Sequence, residues 1–381
     1  MEHSTSSVRD KGFEISGQPI DYRRQLGLWL LAVCVMVFGI TVLGGVTRLT
    51  GSGLSMVDWQ PLLGIVPPLS EAQWLRVFEM YRQSPEYIHI NAGMSLYEFK
   101  TIFWFEYGHR MVGRAIGLVF LLPFLYFLIR RRIPLHLVPK LLAMFILGGM
   151  QGVMGWYMVM SGLAEDPFVS PYRLTAHFSL AMVIYVFVLW VALDLLSPRA
   201  HEVTPSLGKF WWFTFGATAL LAVTMASGAF VAGLKAGYAY NTFPTMAGQW
   251  IPDGYWYLQP AWRNLFENLA AVQFNHRMLA LLTTAAVLAL WIAGTQRYTD
   301  RFNDKAWVAL HLAPAAVLVQ AALGVGTLLL FVPTPLAAAH QGGAVVLFTV
   351  LVVLLHQMRL PARGPMSAPL SAKELAARLA P

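Results

Sequence analysis

The sequence predicts an all-α integral membrane protein, with eight transmembrane helices arranged as two parallel-repeat four-helix bundles. Three observations carry that expectation. The first is composition: 57% of the 381 residues are hydrophobic and 12% are charged, a balance foreign to a water-soluble domain of this size. The second is a series of apolar runs of roughly 20 residues, the length at which a helix crosses a hydrocarbon core. They fall at about 26–46, 107–129, 136–158, 172–196, 210–232, 267–293, 306–331 and 336–357. The third is internal repetition, which governs fold assignment wherever it occurs.

The repetition is clearest in EYGHRM (Glu106 to Met111) and QFNHRM (Gln273 to Met278). Other echoes keep the same order. VTRL from Val46 and VAGL from Val231 close the first and fifth spans; QGVMG from Gln151 and QAALG from Gln320 lie in the third and seventh; TAH ending at His177 and AAH ending at His340 open the fourth and eighth. The interval between paired motifs drifts from 185 to 169, 167 and 163 residues, as loops of unequal length would produce. Each half has four spans, a long connection after its first helix, and one of these histidines in each even-numbered helix. Because four spans precede the second copy, both halves share one orientation about an axis along the membrane normal. The chain divides into a tail over 1–25, a first half over 26–200, a second half over 201–357 and a tail over 358–381.

Charge sets the orientation. The net charge of +8 resides largely in Arg23-Arg24, Arg130 to Arg132, Arg199 to Lys209, Arg297 to Lys305 and Arg359 to Arg363, all on one side of an eight-span arrangement. That is the positive-inside pattern rather than a nucleic-acid surface. It places both termini in the cytoplasm and the connections over about 47–105 and 233–266 outside. The N-terminal tail includes Glu2, Asp10, Glu14 and Asp21 and lacks an apolar core, which fits neither a cleaved signal nor a transit peptide. A bacterial plasma membrane is the expected location. The one cysteine, Cys34, excludes an intrachain disulfide and any CxxC metal site.

Even-numbered helices start at the outer surface in this topology, so His109, His177, His276 and His340 lie within about two turns of it. Two histidines per bundle suit bis-imidazole ligation of a haem iron between facing helices. Zinc would require further ligands that neither half supplies. The plainer alternative, a polar side chain hydrogen-bonded across helices, applies to any one of them, but fourfold placement at repeat-equivalent positions favours ligation. His89, His136, His201, His311 and His356 show no such symmetry. Arg110 and Arg277 each follow a histidine and are candidate partners for haem propionates. Arg48, Arg114, Lys100 and Lys235 lie near the same boundary, where basic side chains also reach simply toward water. Gly148, Gly149, Gly152, Gly155, Gly324 and Gly326 leave room either for a flat ring or for close helix packing.

The halves differ at one informative position. Glu106 precedes His109 by three residues where Gln273 precedes His276, and residues so spaced share a helix face. A carboxylate beside the first pocket can accept protons or stabilise a developing cation, although an acid in a first helical turn also interacts favourably with the macrodipole. The asymmetry assigns chemistry to the first half and electron carriage to the second. The first outer connection is also the longer. Within it, Ser70 to Gln83 reads as an amphipathic helix with Ser70 and Gln73 as a capping box. Its stripe of Trp74, Phe78 and Tyr81 would lie on the membrane surface or over a pocket as a lid. Near the other terminus, Ser371 to Pro381 reads as a short capped helix or a disordered tail.

GGVTRLTGSGLS (Gly44 to Ser55), EYGHRMVGR (Glu106 to Arg114), TAH, FNHRM and AHQ (Ala339 to Gln341), set on eight duplicated spans, resemble the haem A synthase family over about residues 24–357. The resemblance implies oxidation of the C8 methyl of haem O to a formyl group through successive hydroxylations, giving haem A for cytochrome oxidase. It implies that His109 and His177 bind the substrate haem, with Glu106 as the essential acid, while His276 and His340 ligate a haem b that relays electrons. The isoprenoid tail of haem O would lie in an apolar groove open to membrane lipid. Contact with haem O synthase and with oxidase assembly factors is left open. Many bacterial members carry a cysteine pair in an outer loop; this chain has none there, so it is similar to the cysteine-free branch shared with mitochondrial homologues. Two rival readings remain: a di-haem b electron-transfer cytochrome that alters no haem, and a cofactor-free transporter, for which charges near the membrane midplane are scarce.

Overall fold

A computed structural model describes residues 20–58, 64–164, 167–197 and 207–359. Arg199, His201, Arg363 and the segment from Ser371 to Pro381 lie outside the described residues. In chain order the helices are α1 (Ile20–Leu49), α2 (Glu71–Arg82), α3 (Pro85–His89), α4 (Leu96–Ile129), α5 (Val138–Gly162), α6 (Pro171–Leu196), α7 (Gly208–Gly233), α8 (Asn264–Glu267), α9 (Leu269–Arg297), α10 (Asp304–Leu329) and α11 (Thr334–Gln357). Among the described residues eight of these, all except α2, α3 and α8, are long and apolar enough to cross a membrane, and each coincides with a span expected from the sequence. Hydrocarbon offers the backbone no hydrogen bonds, so a chain this apolar crosses as helices that satisfy their own. The protein is a multi-pass helical membrane protein.

Helix neighbours follow one pattern twice. α1 and α5 each pack on both α4 and α6; α7 and α10 each pack on both α9 and α11. The histidine-bearing helices therefore stand at opposite corners of each group of four. The groups meet along α6–α7, α1–α11 and α6–α11, where Leu30, Val188, Leu351 and Leu355 belong to one continuous buried cluster. Polar ties cross that seam as well. The Tyr185 and Thr349 hydroxyls are 2.8 Å apart, and at the helix ends away from the four histidines His356 Nε2 lies 2.8 Å from Asp194 Oδ1. Arg359 approaches the same oxygen at 3.8 Å.

α4 departs from expectation. The apolar run begins near 107, yet the helix starts at Leu96, where Ser95 and Glu98 form a reciprocal capping box. Its 34 residues reach about 50 Å, well past a hydrocarbon core of about 30 Å. Its first turns therefore project beyond the membrane, and α2 lies on that projection. The Ser70 and Gln73 box opens α2 as the sequence predicts. Its stripe, however, faces protein and not the membrane surface: Trp74 and Tyr81 are buried, with ring centroids 4.9 Å from Phe103 and 5.1 Å from Phe99. The aromatic face of the α4 extension supplies an apolar receptor that a span-length α4 would have lacked.

Candidate functional site

His109, His177, His276 and His340 sit on α4, α6, α9 and α11, and all four are half-buried. α4 and α6 share the neighbours α1 and α5, and α9 and α11 share α7 and α10, so each pair belongs to one helical group. Every ring rests against a glycine of a neighbouring helix. A Cβ on Gly155 would come within 3.1 Å of His177 Cε1, on Gly228 within 3.0 Å of His276 Cε1, on Gly324 within 2.8 Å of His340 Cε1, and on Gly44 within 3.0 Å of His109 Nε2. Only a hydrogen fits at these four places without moving an imidazole. A Cβ at Gly148, Gly149, Gly152 or Gly326 would enter open space. The sequence marks these glycines without separating the two kinds.

Three of the four rings have hydrogen-bonding neighbours. Gln151 Nε2 donates to the His177 carbonyl at 3.0 Å and stands 3.2 Å from its Nδ1. Gln320 does the same at His340, at 2.9 and 3.0 Å. Ser227 Oγ is 2.8 Å from His276 Nδ1. His109 has no hydrogen-bond partner among the described residues. In the sequence both glutamines stand only as markers of repetition, and Ser227 carries no signal short of the folded register. Among the remaining histidines, His89, His136 and His311 are exposed, and His356 serves the Asp194 contact.

The loops at the histidine ends of the helices are clamped from the helix ends. Glu106 is 3% exposed; its Oε2 accepts from the Ser55 hydroxyl at 2.7 Å and the Met56 N–H at 2.8 Å. Its Oε1 accepts from Arg110 Nη2 at 2.6 Å and Nε at 3.1 Å, and Arg110 Nη2 also donates to the Met56 carbonyl at 2.9 Å. In the second group Arg277 donates to the carbonyls of Tyr240 at 2.7 Å and Thr242 at 2.8 Å, and to Gln273 Oε1 at 3.2 Å. Gln273 Nε2 donates to the Ala236 carbonyl at 2.9 Å. The difference between acid and amide is thus matched by the loops: one turns an N–H and an O–H toward a carboxylate that can only accept, the other turns carbonyls toward an amide that can donate. Most donors of Arg110 and Arg277 serve these loops. Arg110 Nη1 has only a 3.5 Å approach to the Asp58 carbonyl, and Arg277 Nε is buried with no partner. Lys100 and Lys235 lie over the rings of Trp74 and Phe168 at 5.2 and 3.9 Å, cation–π positions.

One further contact links the groups beside the histidines. Gln341, which follows His340, donates to the Thr41 carbonyl of α1 at 2.7 Å, and its amide oxygen occupies the space that a Cβ on Gly45 would need. Adjacent glycines of α1 therefore touch both groups, Gly44 at His109 and Gly45 at Gln341.

Fold and site define a class: multi-pass helical membrane proteins carrying paired histidines on opposed helices, toward one end of the bundle. The sequence comparison is narrower. The chain belongs to the COX15-CtaA family, described as cytochrome oxidase assembly protein, which matches residues 27–352. It is 48% identical over 343 residues to the haem A synthase of Nitrosospira multiformis, spanning 90% of this chain and 96% of that one. It is 50% identical to the haem A synthase of Rhodospirillum centenum, across 89% of both chains, and 44% identical to haem A synthase COX15 of Arabidopsis thaliana, across 94% of this chain and 80% of that one.

Proposed function

We propose that this chain is a haem A synthase, a membrane oxidoreductase that converts the C8 methyl of haem O to the formyl group of haem A for cytochrome oxidase. The observation that carries this reading is identity of 48% to a haem A synthase over nearly the whole of both chains. Two histidine pairs whose surroundings differ at Glu106 and Gln273 support it.

Haem O belongs at the first pair, His109 and His177, and haem b at the second, His276 and His340. The donors fit: imidazoles are the ligands haem iron takes, they come two to a group on opposed helices, and glycines flank all four rings. Haem b supplies one-electron transfer when bound. Oxidising a methyl group releases protons as well as electrons, and Glu106 is the base beside His109. Its carboxylate is held by Ser55, the Met56 N–H and Arg110. Gln273 offers no such base, so the second site only relays electrons. The donors left over on Arg110 and Arg277, Nη1 and Nε respectively, are the ones available to propionates.

The two groups, 26–200 and 201–357, are read as parallel repeats about an axis along the membrane normal. The repeated ring of helix neighbours supports this, and so do the reciprocal contacts α1–α11 and α6–α7. The histidine ends face the outer side of a bacterial inner membrane and both termini the cytoplasm, because Arg23, Arg130 to Arg132, Lys305 and Arg359 gather at the opposite helix ends.

The test is extraction and mass analysis of haems from detergent-purified protein made in a host that supplies haem O. Wild type should yield haem b together with haem O, haem A or a hydroxylated form, and His276→Ala should lose the haem b. Two haem b per chain and no modified haem would replace the enzyme with an electron-transfer cytochrome.

A further inference from the structure

We propose that Gln151 and Gln320 are positioning residues that set the ring orientation and the basicity of the ligands His177 and His340. This rests on the reading of those histidines as haem ligands and goes beyond it. Each amide nitrogen spans the carbonyl and the ring of one histidine on the neighbouring helix, α5 to α6 and α10 to α11; in the second half it meets Nδ1, and in the first it stands between the two ring nitrogens, 3.2 Å from Nδ1 and 3.3 Å from Nε2. The distances nearly coincide between the halves, 3.0 and 3.2 Å in the first against 2.9 and 3.0 Å in the second. In each case the glycine four residues later, Gly155 or Gly324, faces the ring of that same histidine. Glutamine and glycine thus form one device, an amide that grips the imidazole and a gap that admits it. In the second half Gly343 completes the fit, since a Cβ there would collide with the Gln320 amide oxygen.

The amide oxygens say what the grip is for. Gln151 Oε1 and Gln320 Oε1 are both buried without a hydrogen-bond partner, and a buried acceptor left unsatisfied is costly. The same planar head therefore holds a donor and a free acceptor beside the ring. A histidine that gives its Nε2 lone pair to iron carries its proton on Nδ1 and needs an acceptor there. The carboxamide is the group at hand for that proton, so it holds either tautomer of the imidazole without any other side chain moving. A partner on Nδ1 also tunes the electron density the ring passes to iron.

The test uses full-length detergent-purified protein and reads the midpoint potential and low-spin optical bands of the resident haem b, with haem content as a control. Gln320→Glu keeps the shape and strengthens the acceptor, so it should shift the midpoint potential to more negative values; Gln320→Leu removes the partner and should shift it the opposite way or broaden the bands. Gln151→Leu should leave the haem b signal unchanged and reduce the haem O or haem A retained through purification. If His340→Ala removes haem b while both Gln320 variants keep the wild-type potential and bands, the positioning role is wrong and the ligand assignment stands. If His340→Ala retains haem b with an unaltered spectrum, the ligand assignment itself fails. Should the leucine variant not fold, the isosteric glutamate variant carries the test alone.

Discussion

At the residue scale, Glu106 has two duties that a substitution can separate. It fastens the Ser55–Met56 turn to α4 and holds Arg110, and it is the base proposed for the first site. Glu106→Gln leaves a side chain of the same size but places an N–H among donors. Haem A formation should fall by roughly 10²–10⁴-fold, the range for loss of a general acid or base, while haem binding persists. Ser55→Ala removes one hydrogen bond to the carboxylate, worth about 1.5–3 kcal/mol, and should reduce activity without abolishing it. Haem analysis of cells expressing each variant beside a haem O supply distinguishes the two duties; equal loss in both would make Glu106 a latch and nothing more. The four histidines and Glu106 were legible because they recur in short phrases. Ser55, Gln151, Ser227 and Gln320 were not, because their partners lie far along the chain, and helix packing alone decides which side chains meet.

At the scale of elements, the N-terminal extension of α4 with α2 and α3 forms a small aromatic unit around Tyr81, Phe99 and Phe103. Within it Glu86 is 8% exposed and accepts from the Tyr81 hydroxyl at 3.0 Å, which in turn accepts from Asn91 at 2.7 Å. Burial raises the Glu86 carboxyl from 4.5 to about 7, with Glu106 adding to the effect and the Tyr81 bond and Lys235 opposing it. The sign follows from linkage: between these values the folded unit holds a proton that the unfolded chain has released, so stability falls as pH rises through that window and is level above it. Hydrogen exchange of α2 and α3 should accordingly be slower, after correction for intrinsic rates, near pH 5 than near pH 8, and Glu86→Gln should remove the difference. A slope unchanged in that variant would place its origin elsewhere. The sequence showed α2 with its cap but not its receptor. Hydropathy marks where a helix leaves hydrocarbon, not where it ends, and the capping box at Ser95 and Glu98 was the readable sign that α4 starts early.

At the scale of the whole molecule, eight spans were legible because a membrane forces apolar runs into helices of fixed length. The seam between the groups was not, since its ties are single contacts: Tyr185 with Thr349, His356 with Asp194, and Gln341 with the Thr41 carbonyl. Gly45 tests the seam. Gly45→Val would displace Gln341, and overpacking of this kind costs about 1–3 kcal/mol, so the detergent-solubilised protein should melt at lower temperature. Gly39→Ala, where a Cβ meets nothing within 4 Å, should be neutral; equal losses in both would exclude a specific role for Gly45. The adjacency of Gly44 and Gly45 also bears on how the two histidine pairs are spaced. One glycine touches His109 and the next touches the residue beside His340, so α1 meets both histidine pairs at neighbouring positions, about 3.8 Å apart between Cα atoms. Loops on either surface can lengthen or shorten without altering how the two histidine pairs are spaced, because one turn of α1 contacts both groups.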